Sequence, residues 1–152
     1  MLKSIALSLS ILTHAVFGFS ISDDTKIQEL RKNITFKLFT PSYFDTATNY
    51  EIKIPAQIEK NMPEVKDVII NYFDSKGEYV FGVTQIKSFS FEPRGEQVII
   101  NGVKGWYEPY LGKEPTGARL KWIQSGTYLE LDTINLSKDS LLRIAKSMKI
   151  IK

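Results

Sequence analysis

The strongest constraint on the fold is a set of glycine-bearing turns placed between short runs of alternating apolar and polar residues. Asn101-Gly102 separates Gln97–Ile100 from Lys104–Tyr107. Asn-Gly is the pair that most favours a two-residue hairpin, because both of its residues tolerate a positive φ. Ser125-Gly126 separates Ala118–Ile123 from Thr127–Leu131, and Asp74-Ser75-Lys76-Gly77 separates Val65–Phe73 from Tyr79–Ile86. Connections this short join antiparallel strands only. In the hairpin around Gly126, Leu120 and Trp122 share one face and Leu129 and Leu131 share one face of the partner strand, so both pairs are expected to point inward.

Elements at the two ends complete the pattern. Asp23-Asp24-Thr25 followed by Ile27 and Leu30 predicts a short amphipathic helix ending near Asn33, with acidic residues at its positive end. Ile34, Phe36 and Leu38 then alternate with polar residues, which predicts a half-buried strand stopped by Pro41. Tyr50, Ile52 and Ile54 repeat the alternation up to Pro55. Near the C-terminus, Ser137 is a suitable N-cap, and Leu136 and Leu141 stand at hydrophobic-staple positions. Leu141, Ile144, Ala145 and Met148 follow the spacing of one buried helical stripe, with Arg143, Lys146 and Lys149 left in water. The expected architecture is α+β. An antiparallel sheet of six to eight strands is built from hairpins, with a short N-terminal helix and a C-terminal helix packed on one face.

The first eighteen residues read differently from the rest. Met1-Leu2-Lys3 is a short positive start, followed by an apolar stretch from Ile5 to Phe17, with Val16 and Gly18 small enough for the −3 and −1 positions of a cleavage site. Residues 1–18 are therefore expected to be a signal peptide, and residues 19–152 one domain. The stretch is shorter than the ~20 predominantly apolar residues of a bilayer span, so membrane attachment is expected only if it stays uncleaved. His14, the one histidine, lies within it, and the chain has no cysteine. The domain thus lacks the means for Ser-His-Asp triads, thiolate nucleophiles, His- or Cys-bound zinc, disulfides or a lipidated cysteine. The formal charge of +3 is spread over 20 basic and 17 acidic residues, with no basic run longer than Arg31-Lys32. That is a mixed solvated surface rather than a nucleic-acid face.

Several phrases resemble one family. Ile34-Thr-Phe-Lys-Leu-Phe-Thr-Pro-Ser-Tyr43 is similar to the opening of the domain of unknown function 4367. The segments around Val68–Tyr72, Ile100–Gly105, Leu120–Trp122 and Tyr128–Leu131 follow in that family's order, and Leu141–Ser147 resembles its closing helix. The likeness covers roughly residues 25 to 150. It implies an extracytoplasmic domain of Gram-positive bacteria, found as the outer part of membrane anti-sigma factors, as lipoproteins or as secreted proteins. It carries no catalytic residues over.

The remaining chemistry is sparse. Glu92, Glu96, Glu108, Glu114 and Glu130 fall in the strand-and-turn half, but their spacing marks no acid–base pair of the kind glycoside hydrolysis needs. Asp45, Asp67, Asp74, Glu78 and Asp132 are oxygen donors, yet the Asp74–Glu78 turn holds too few carboxylates for a calcium loop. No catalytic residue, metal site or cofactor is assigned. The binding candidates are Trp106, Tyr107 and Tyr110, clustered in the Gly/Pro-rich stretch Gly105–Pro115. Trp106 and Tyr107 are adjacent, so a strand would send them to opposite faces. The expected function is a secreted or surface-exposed, non-enzymatic domain that binds a protein, peptide or cell-envelope component. The alternatives are a membrane-tethered extracytoplasmic sensor or regulator, and a carboxylate-dependent hydrolase.

Overall fold

The computed structural model describes residues 25–53, 65–87, 90–110 and 117–151. The expected export segment 1–18, Asp23-Asp24, Ile54-Pro55, Glu114 and the 111–115 part of the aromatic stretch lie outside the described residues. Among those described, residues Thr25–Asn33 are helical (α1) and bury Ile27 and Leu30. A sheet of seven strands follows, in the spatial order β2 (Asn49–Lys53), β3 (Asp67–Phe73), β4 (Tyr79–Lys87), β8 (Thr127–Thr133), β7 (Ala118–Gln124), β6 (Val103–Pro109) and β5 (Glu96–Ile100). Every pairing in it is antiparallel. The helix α2 (Lys138–Lys146) and a two-stranded ribbon of β1 (Phe39–Pro41) and β9 (Met148–Ile150) complete the fold.

Alternation decides which face is inner. Leu120 lies opposite Leu131, and Trp122 opposite Leu129. Across β4, Val83 lies opposite Leu131, and Ile70 of β3 opposite Val83. All six are buried, as are Leu141, Ile144 and Ala145 of α2. Each fully buried aliphatic or aromatic side chain contributes roughly 1.5–3 kcal/mol, so this face dominates stability. Ser137 caps α2 by accepting a hydrogen bond from the Ser140 amide at 3.2 Å, and Asp139 occupies the first turn.

Two end segments differ from the periodicity-based expectation. Ile34, Phe36 and Leu38 do not form a strand. Ile34 makes a single parallel bridge to Val65, and the strand begins at Phe39 and includes Pro41. Met148 is buried, but in β9 rather than in α2. The cause is Ser147. Its amide closes α2 against Arg143 and Ile144, while its hydroxyl accepts from the amides of Ser42 and Tyr43 at 3.2 and 3.1 Å. Those bonds draw the chain out of the helix and into register with β1, where Pro41 opposes Met148. A three-residue ribbon tolerates a proline because few of its amides are needed for pairing.

Polar pins fasten the ribbon side to the sheet. Gln85 points inward from β4 and is fully buried; its amide donates to the Phe39 carbonyl at 2.9 Å, and its oxygen accepts from the Phe39 amide at 2.7 Å. Thr127 donates to the Lys37 carbonyl at 2.7 Å. Thr133 donates to the Val80 carbonyl at 2.7 Å and accepts from the Leu136 amide. Each of these buried polar groups is therefore satisfied, as burial requires.

Candidate functional site

The outer face of the sheet, away from α2, is built by the residues that alternate with this core. The strand order requires the connection from β4 to β5 to pass β8, β7 and β6. Phe91, on that connection, lies edge-on to Tyr128 of β8 at 5.1 Å between ring centroids and to Trp106 of β6 at 5.5 Å. The crossover therefore travels over the outer face. Gly95 ends it with φ +88°, and a Cβ there would overlap the Tyr107 carbonyl, so the approach to β6 demands glycine.

Trp106 is aligned with Gln97 and Lys121, and Tyr107 with Glu96 and Leu120, so the two rings leave β6 on opposite faces. Both are half-buried. Tyr107 packs against the core, with the Lys138 ammonium 5.3 Å from its ring centre and the same ammonium bonded to Glu96 at 2.5 Å. It closes the inner rim. Trp106 instead joins Phe91, Pro93, Val103 and Ile123 around an open groove of about 300 Å³, with Lys104 on its edge. Lys104 is exposed and makes no ion pair among the described residues.

Farther along the same face the charges are matched. Lys121 donates to Glu108 at 2.9 Å and holds its carboxyl below the usual carboxylate range. Arg119 donates through Nε to the Tyr110 hydroxyl at 3.1 Å, and lies 3.7 Å from Glu130. Tyr128 donates to Glu130 at 2.5 Å, and Tyr79 to Asp132 at the same distance. Burial, reinforced by these carboxylates, raises both phenols well above their ordinary value. The row is a preorganised polar surface in which each charged group already has a partner.

The three candidates are thus divided. Trp106 and Tyr110 share the outer face at opposite ends of the Glu108–Lys121 pair, and Tyr107 belongs to the core rim. The groove's other aromatic wall, Phe91, was not legible in its own local sequence, since its partner lies in a different hairpin. Among the carboxylates, Glu92 pairs with Arg94 at 2.8 Å and Glu96 with Lys138. Asp74 accepts from the amides of Lys76 and Glu78 and so organises its turn. Among the described residues no three His, Asp or Glu side chains gather as metal ligands, and no helix is long and apolar enough to cross a membrane. An apolar slot with one uncommitted cation at its edge can hold an apolar or aromatic group that carries a nearby anion. No protein-family model, curated protein or solved structure matches this chain.

Proposed function

We propose that this chain is an exported, non-enzymatic domain, secreted or surface-exposed, that binds a protein, peptide or cell-envelope component through the outer face of its sheet. The observation that carries the binding reading is Trp106. It is half-buried, braced edge-on by Phe91, and forms a wall of an apolar groove instead of filling the core. Aromatic side chains in such positions supply contact area at low entropic cost. Lys104 adds a preference for an acidic group. The export reading rests on the pattern of residues 1–18, and on the resemblance to the domain of unknown function 4367, which also favours an extracytoplasmic setting in Gram-positive bacteria. The full architecture we propose keeps the N-terminal helix as part of the domain, a reading supported by the burial of Ile27 and Leu30.

Two measurements test this. Intact mass in separated medium and membrane fractions is expected to give a chain starting near Phe19 in the medium; a full-length chain in the membrane would support a tethered regulator instead. Retention of the protein on isolated cell-wall sacculi and on an array of acidic–aromatic peptides is expected to fall at least tenfold in Trp106→Ala, which is a loss of about 1.4 kcal/mol or more. Equal retention of both proteins, or unfolding of the variant, would remove Trp106 as the binding group.

A further inference from the structure

We propose that β5 is a self-pairing edge, at which two copies of this chain join antiparallel and continue the sheet across a twofold axis. β5 ends the strand order, and among the described residues no strand lies beyond it. The Asn101-Gly102 turn, with φ +49° and +83°, leaves Ile100 and Val103 as the pair that closes the hairpin. In such a two-residue hairpin the closing pair exchanges both backbone hydrogen bonds, and alternation extends this to Val98 and Glu96. The amides and carbonyls of Gln97 and Ile99 therefore face away from β6, and neither residue has a backbone partner elsewhere among the described residues.

The edge also lacks the usual guards. Ile99 is 54% exposed on the outer face, and no charge occurs from Gln97 to Ile100. Natural edges are protected by charged side chains, prolines or bulges. The opposite edge strand, β2, shows that protection, with Glu51 and Lys53 both more than half exposed on its outer face.

A second copy fits this edge in three respects. A twofold axis through Val98 sets Gln97 of one copy against Ile99 of the other, so all the outward backbone groups are met in both. Val98 then opposes its own equivalent. Charge is compatible as well: Glu96, 62% exposed at the start of β5, is already bonded to Lys138, so pairing here brings in no uncompensated charge. A five-residue strand offers much less than the ~800 Å² per partner of a standard interface, so the dimer is weak and concentration-dependent.

Sedimentation equilibrium of the purified protein from about 10 μM to about 1 mM tests it, since association through so small a surface falls in this range. The weight-average mass is expected to rise from one copy towards two. Ile99→Lys, at an exposed position, is expected to move the midpoint at least tenfold higher. Amide exchange at Gln97 and Ile99 is expected to slow as concentration rises, while Val98 and Ile100 stay unchanged. A protein that remains monomeric at the highest concentration would overturn the proposal. So would a dimer indifferent to Ile99→Lys, or one that leaves Gln97 and Ile99 exchange unaltered.

Discussion

On the inner face of β4, Phe81, Val83 and Gln85 are fully buried beneath a second layer. On its outer face, Gly82, Thr84 and Ile86 lie among side chains that reach across from β3 and β8. The first group is held by apolar area plus a few buried hydrogen bonds that have no substitute. The second is held by charge pairs and aromatic edges that water can replace in part. The same strand thus carries a face whose defects are costly and a face whose chemistry is free to specialise. This is why Trp106 and Tyr110 lie outside and the energetic pins lie inside.

Gln85→Leu is the sharpest way to break that comparison. Leucine keeps the bulk but leaves the Phe39 amide and carbonyl buried without their partners at 2.7 and 2.9 Å. Each of the two orphaned groups costs about 1–3 kcal/mol, so a loss of roughly 2–6 kcal/mol is expected in chemical denaturation. Thr84→Val, one position away on the other face, is expected to stay within about 0.5 kcal/mol. Equal losses at the two positions would mean that the ribbon is not pinned by Gln85.

A smaller effect is expected where the outer face comes closest to being buried. A Cβ on Gly82 would lie 2.7 Å from Asp132 Oδ1, 2.8 Å from the Tyr79 hydroxyl and 3.1 Å from Asn71 Oδ1. These are side-chain tips that can retreat, so Gly82→Ala is expected to cost about 1–2 kcal/mol, at the lower end of overpacking. Its signature is the Tyr79 phenol, raised first by burial and then by Asp132. Because the folded value lies above the unfolded one, the wild type loses this contribution as pH climbs beyond about 10. Ultraviolet titration of the variant should show a tyrosine ionising at lower pH than in the wild type. An unchanged titration would mean that Asp132 and Tyr79 remain together despite the added methyl.

What the sequence disclosed follows the same division between local and distant causes. The hairpins around Gly77, Gly102 and Gly126 were legible because a turn is encoded in two to four adjacent residues, and Ser137 because a cap acts within one helical turn. The inward set of Leu120, Trp122, Leu129 and Leu131 followed from period two. The strand order was not legible: β5 follows β4 in the chain but lies four places from it in the sheet. The β1–β9 ribbon was missed for a related reason, since Ser147 finds its partners at Ser42 and Tyr43, more than a hundred residues away. Gln85 looked like an ordinary polar position in a strand, and only the Phe39 backbone gives it a role. Phe91 completes the Trp106 groove across the crossover in the same manner. Of the candidate site, the sequence marked Trp106 and Tyr110 and set Trp106 and Tyr107 on opposite faces, but did not mark which of the two would be the outer one.

The smallest expected effect tests whether the outer charges matter for stability at all. Lys121 lowers the Glu108 carboxyl by hydrogen bonding to it, and both side chains remain partly in contact with solvent, at 15% and 33% exposure. A carboxyl lowered in the folded state stabilises fully above its unfolded pKa and loses that contribution as pH falls through the folded value. Glu108→Gln should therefore cost about 0.2–1 kcal/mol near neutral pH, and the difference from wild type should shrink to nothing in acid. Added salt should reduce it as well, because exposed pairs are screened. Denaturant midpoints for the two proteins at neutral and acidic pH, at low and high salt, would read both trends. A gap that survives acid and salt would show that Glu108 acts through the pattern of its hydrogen bonds rather than through its charge, and the outer face would then share the inner face's dependence on specific polar partners.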